Sequence, residues 1–176
     1  MTIILTLVGP DRTGIVEEVS HLLVMHGGNW LESRFCRLGG HFAGILRADI
    51  PLENRDALHR AFDSMRGGGF EIQLREGSVL LAAQAMHFAH LEVVGGDRPG
   101  IVRQISQILA RLAVNVEDFE SGCESAAMSG HSLFSARATL ALPPQVSVET
   151  LRSALEGIAD DLMVTVRPGA KEQGPG

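Results

Sequence analysis

The chain is poor in the residues that build several common kinds of site. Its two cysteines, Cys36 and Cys123, are too few for a disulfide scaffold or a four-thiolate zinc site. It lacks a basic excess: 15 Lys and Arg face 21 Asp and Glu, for a net charge of −6. A dedicated nucleic-acid binder needs positive charge to replace phosphate counterions, so direct DNA or RNA binding is not expected. Apolar runs such as Val79–Ala83 fall far short of the roughly 20 residues of a membrane span. No charged segment precedes the apolar Met1–Val8 stretch, which therefore does not read as a secretion signal. What is present is ordinary globular composition, 45% hydrophobic and 20% charged, over 176 residues. A soluble, reducing, cytoplasmic protein of one medium domain or two small ones is expected.

The chain is written twice. Leu5–Leu31 set over Leu91–Glu117, an offset of 86, gives eleven identities without a gap. They include Gly9/Gly95, Asp11/Asp97, Arg12/Arg98, Gly14/Gly100, Ile15/Ile101, Val16/Val102 and Asn29/Asn115. Gly40-His41 and Arg47-Ala48 then match Gly130-His131 and Arg137-Ala138 at an offset of 90. The extra residues fall within Gly122–Gly130, a small, polar stretch that reads as an exposed loop. The expected domains are 1–77 and 86–168, with a connector through Val79–Ala85 and a disordered tail over 169–176.

Each copy reads β-α-β-β-α-β. Thr2–Gly9 is β-branched and apolar up to a Gly-Pro turn signal, as a buried strand should be. Ile15, Val16, Val19, Leu22 and Leu23 then form one helical stripe, which Gly27-Gly28 stops. Asn29–Leu38 and His41–Ile50 read as strands around a Gly39-Gly40 hairpin turn. Ala57, Leu58, Ala61, Phe62 and Met65 make a second helical stripe, and Phe70, Ile72 and Leu74 alternate as a half-exposed strand. The second copy follows with strands near His87–Val94, Asn115–Gly122, His131–Leu142 and Leu162–Arg167. Its helices begin at Gly100 and near Val148–Ala159. The predicted class is α+β, two ferredoxin-like βαββαβ domains. One copy alone buries little core, which favours side-by-side pairing within the chain.

The repeated Gly-x-Asp-Arg-x-Gly-Ile-Val segment joins a strand to a helix N-terminus, where amides lack internal partners and the dipole is positive. Asp11 and Asp97 suit the cap region, and Gly14 and Gly100 let a ligand approach the backbone. Such an end can hold an α-carboxylate while the neighbouring acid takes an α-ammonium, which suits a zwitterionic amino acid. A phosphate loop is excluded, because Ile15-Val16 stands where Lys-Ser/Thr would follow. Asn29 and Asn115 each open the strand after the first helix and offer both a donor and an acceptor; a turn role would explain them equally. A merely well-capped turn remains the alternative for the whole loop.

These residues resemble the ACT domain, and two such units resemble the glycine cleavage system transcriptional repressor group, over roughly residues 2–167. The resemblance implies a non-enzymatic, amino-acid-sensing regulator with ligands at the interface between units. One implied site uses Asp11, Arg12, Gly14 and Ile15 with Asn115; the other uses Asp97, Arg98, Gly100 and Ile101 with Asn29. Thr13 in place of proline, and Gly27-Gly28 against Ala113-Val114, suggest unequal sites. The implied effector is a small amino acid such as glycine, with no other cofactor. The partner would be a transcriptional regulator contacted as protein, with no direct nucleic acid and no membrane, and a homodimer is one assembly open to it. Feedback on a biosynthetic enzyme, or a ligand-free assembly module, are the rival readings.

Other chemistry is thin. His87 and His90 fall on opposite faces of a strand, and no Cys-x2-Cys or helical His-x3-His pair exists, so no metal site is expected. His41 and its counterpart His131 suit a hairpin-end surface. Cys36 and Cys123 read as structural or surface thiols, and Ser20 and Ser106 as packing residues. Trp30 reads as core or interface packing. Arg12 and Arg98 are either carboxylate partners or solvated neighbours of an aspartate.

Overall fold

The computed structural model describes residues 1–77, 86–125, 132–158 and 162–169. The chain divides into two compact units, Met1–Leu80 and Leu81–Gly176. The expected connector and disordered tail lie outside the described residues, apart from Gly169, and so does His131.

The first unit runs β1 (Thr2–Pro10), α1 (Ile15–Met25), β2 (Asn29–Leu38), β3 (His41–Asp49), α2 (Arg55–Ala61), α3 (Asp63–Gly67) and β4 (Glu71–Glu76). Its antiparallel sheet has the order β2-β3-β1-β4. The second unit repeats this with β5 (His87–Gly96), α4 (Ile101–Arg111), β6 (Asn115–Ser125), β7 (Ser132–Leu142), α5 (Val148–Glu156) and β8 (Leu162–Gly169), in the order β6-β7-β5-β8. Both are ferredoxin-like βαββαβ units, as the apolar patterning predicts.

The cores follow from period. Ile3, Leu5 and Leu7 alternate inward along β1 and meet Ile15, Val19 and Leu23, one stripe of α1. In the second unit Ala89, Leu91 and Val93 meet Ile101, Ile105 and Leu109 in the same way. Leu58, Phe62 and Met65 close the first core, and Leu151 and Leu155 the second.

Several elements depart from expectation, three of them as follows. The second helix of the first unit is interrupted at Phe62, where ψ is −4°, although hydrogen bonds from Phe62 to Leu58 and from Arg66 to Phe62 keep the helical register. Phe62 is wholly buried at this break, so packing holds the joint. The stretch expected as a loop from Gly122 is strand as far as Ser125, with 126–131 outside the described residues. Strand β8 continues two residues past Arg167, because Pro168 and Gly169 pair with Ala89 and Phe88.

Edge strands β2 and β6 carry a β-bulge at the same step, between Trp30 and Glu32 and between Val116 and Asp118. In β2 the bulge brings Trp30 and Phe35 onto one face, 5.8 Å between ring centroids, with Phe42 5.3 Å beyond Phe35. The Phe35 ring lies over Gly44, directly opposite on β3, where it fills the place of a side chain.

Candidate functional site

The repeated loop is built alike in both units. Pro10 ends β1, Ile15 begins α1, and Gly14 stands at the N-cap with φ of 89°. Gly100 does the same before α4 with φ of 94°. An L side chain is strained in this left-handed region, and an added Cβ would meet nothing within 4 Å at either position. Dihedral angle alone therefore demands glycine, and the space above it is open.

Asp11 and Asp97 do not cap the helices, contrary to expectation. Neither helix has a side-chain cap, because glycine fills the cap position three residues later. Each aspartate instead gives its backbone N–H to the neighbouring hairpin: Asp11 to the Gly40 carbonyl at 3.0 Å, Asp97 to that of Ser132 at 2.8 Å. The first intrahelical bonds run from Glu18 to Gly14 and from Gln104 to Gly100. The preceding turn of amides has no side-chain acceptor, a setting suited to an anion.

The side chains make the two loops differ. Asp11 pairs with Arg37 of β2, Oδ2 to Nε at 2.8 Å. Arg12 forms an ion pair with Glu18 and lies over the Phe70 ring, 5.4 Å from its centroid. That ring packs against Gly9, within 2.5 Å of where a Cβ would project. In the second unit the offset of 86 puts Cys123 at the place of Arg37 and Gln104 at the place of Glu18. The Asp97 carboxylate neighbours the Cys123 thiol, whose pKa is raised from the ordinary value by local desolvation first and then by that carboxylate. Arg98 has no ion-pair partner among the described residues.

Ile15 and Ile101 belong to the cores, at 3% and 2% exposure, so only their backbone amides are open to a ligand. Asn29 and Asn115 are exposed at the first residues of β2 and β6. Asn115 donates to the Glu117 carboxylate at 2.7 Å. Asn29 pairs in register with Asp49, which also faces Thr2, whereas Pro10 faces His41. A unit's loop and its own asparagine thus lie at opposite ends of the sheet, roughly 27 Å apart along β1. The structure does not bring them together within a unit.

A separate cavity of about 350 Å³ opens on the second sheet, with His90, Glu92, Asp118, Arg137, Thr139 and Arg167 among its lining residues. It contains none of the loop residues. Arg137 and Glu92 pair within it at 3.3 Å. Among the described residues no three His, Cys, Asp or Glu converge as a metal set. No helix among them is long and apolar enough to cross a membrane.

Residues 1–66 match the family model of the ACT domain. The matched segment falls within the first of two ferredoxin-like units. The second repeats the strand order, the left-handed glycine and the Asp-Arg loop of the unit before it. Over nearly its whole length the tandem is similar to a protein of unknown function from Galdieria sulphuraria, 25% identical. The TM-score is 0.86, and 96% of this chain and 98% of that one are covered. It also shares its fold with a candidate glycine cleavage system transcriptional repressor, 16% identical, TM-score 0.69, covering 95% of this chain and 96% of that one. A comparison with curated proteins gives no match.

Arg37, Glu18 and Gln104 escaped the sequence reading, which took Cys123 only as a structural or surface thiol. The signal was present in the repeat alignment, as a charge in one copy and an uncharged residue at the same place in the other.

Proposed function

We propose that this tandem ACT-fold protein is a non-enzymatic amino-acid sensor of the cytoplasm that acts on a partner protein by contact. A small amino acid, glycine in the first instance, binds at the strand–helix loop. Its α-carboxylate meets the uncapped helix amides and an arginine, Arg12 or Arg98. Its α-ammonium meets the aspartate, Asp11 or Asp97. The carrying observation is the duplicated loop, in which a left-handed glycine leaves the first helical turn without a side-chain cap beside an acid. The match of residues 1–66 to the ACT-domain model supports a regulatory role. The fold shared with the candidate glycine cleavage system transcriptional repressor supports a role in transcriptional control. Regulation requires that the partner-competent and partner-incompetent states differ in affinity for the amino acid. Isothermal titration of the full chain with each of the twenty amino acids tests the first half. Binding at millimolar strength or tighter supports it, and no heat from any of them refutes it. Capture from native lysate tests the second: a transcription factor supports the reading, and a biosynthetic enzyme replaces it with feedback control.

A further inference from the structure

Along β5, Leu91 and Val93 face the helices, so His90 and Glu92 point to the opposite, open side of the second sheet. There Thr139, His90 and Arg167 lie abreast on β7, β5 and β8, and Glu120, Arg137 and Glu92 lie abreast on β6, β7 and β5. All six line the cavity of about 350 Å³. The pairing register puts Ile4 and Ile45 of the first unit at the places of His90 and Arg137, although the sequence alignment sets Arg47 against Arg137. The centre of this face is therefore apolar in one copy and charged in the other.

The charges of the cavity are only partly spent. Arg137 reaches Glu92 through Nε at 3.3 Å, which leaves its terminal amino groups for another acceptor. Arg167 and Glu120 have no ion-pair partner among the described residues. His90 lies 3.5 Å from the Thr139 hydroxyl, and its ring covers Gly169, where a Cβ would come within 2.8 Å. Two acids, Asp118 and Glu120, thus stand on the β6 edge of the cavity and an unpaired cation, Arg167, on the β8 edge. Those edges are three strand spacings apart, about 14 Å.

We infer that this cavity is a binding site for a short linear peptide with free termini, laid across the strands with its ammonium at Glu120 and its carboxylate at Arg167. A single amino acid holds its two charges within one residue length, about 3.5 Å, and cannot meet both edges. Three residues extend about 10 Å, and the long glutamate and arginine side chains lean inward to close the remainder. Arg137, His90 and Thr139 lie beneath the middle of such a ligand and offer partners to its peptide groups. The site is separate from both strand–helix loops and does not depend on the amino-acid-sensor reading.

Amide NMR titration of the full chain with glycine, triglycine, triglycine amide and N-acetyltriglycine tests it. Triglycine is expected to bind saturably at millimolar strength or tighter and to shift the amides of Arg137, Thr139 and Arg167. Glycine should leave those three amides unmoved. Blocking either terminus should weaken binding about fivefold, the worth of one exposed ion pair, and so should Arg167→Gln or Glu120→Gln. Arg111→Gln, at the end of α4, should leave the affinity for triglycine unchanged. Urea denaturation of each variant verifies that it is folded. Absence of shifts at the cavity amides, or equal affinity for triglycine and both blocked forms, overturns the inference. Triglycine shifts confined to the strand–helix loops overturn it as well, whereas glycine shifts at those loops bear only on the sensor reading.

Discussion

Arg37 and Cys123 occupy the same place in the two units, and each partners the aspartate of its own strand–helix loop, Arg37 through an ion pair of 2.8 Å and Cys123 through its thiol. One acid faces a cation; the other, among the described residues, does not. Local desolvation and then the Asp97 carboxylate raise the Cys123 pKa.

A raised pKa leaves less thiolate at a given pH, and the thiolate is the nucleophile. Iodoacetamide at pH 8 should therefore alkylate Cys123 more slowly than Cys36, although both are exposed. Asp97→Asn removes the hydrogen-bond acceptor's charge and should speed Cys123 with little change at Cys36. Peptide mass spectrometry over time reads both rates; equal rates at Cys123 in the two proteins would refute the contact.

Ala113 holds φ of 54°, the counterpart of Gly27 at 70° where α1 ends. The same backbone bonds close both helices, Gly28 to Leu23 at 2.8 Å and Val114 to Leu109 at 2.9 Å. An L residue in this conformation costs about 1–2 kcal/mol, against about 0.5–1 kcal/mol of chain entropy for glycine. Ala113→Gly should stabilise the second unit by about 0.5–1 kcal/mol in urea denaturation, and destabilisation would show that the strain is absent.

Gly44 lies beneath the Phe35 ring, which in turn touches Trp30. Gly44→Ala must displace that ring, at an overpacking cost of about 1–3 kcal/mol. Trp30 is the only tryptophan, so its emission should shift with the substitution. Adding Phe35→Ala should remove most of the penalty that Gly44→Ala causes alone. Full additivity of the two changes would count against the contact.

Helix α5 is capped by a side chain: Ser147 accepts from the Thr150 amide at 3.0 Å. Ser147→Ala should cost the second unit about 1 kcal/mol, read as a lower denaturation midpoint at unchanged slope. Ser20→Ala serves as the comparison, since that hydroxyl bonds only the Glu17 carbonyl behind it, at 2.9 Å. It should cost much less.

The strands and helices were legible because their apolar residues keep strict periods. Leu5 and Leu91, or Val19 and Ile105, could be placed in the cores before any coordinates. What misled was geometry that leaves no mark in composition. Alternation puts Trp30 and Phe35 on opposite faces, and only the bulge at Leu31 makes them neighbours. An aspartate before a helix reads as a cap, yet a left-handed glycine three residues on takes the cap position and frees the acid for Arg37. That arginine comes from another strand, so no local motif announces it. The shared loop was visible in the repeat, but the charges that divide its two copies emerged only when each partner was located in space.

The matching bulges date the parts of this molecule. An extra residue at the same rung of both edge strands, Leu31 in one and Glu117 in the other, marks inheritance from a single ancestral unit that already carried it. The exchanges of Arg37 for Cys123 and of Glu18 for Gln104 distinguish the copies and are therefore younger than the duplication. The frame of the doubled chain stayed while side chains at matching places changed charge, so two halves of one fold present different surfaces.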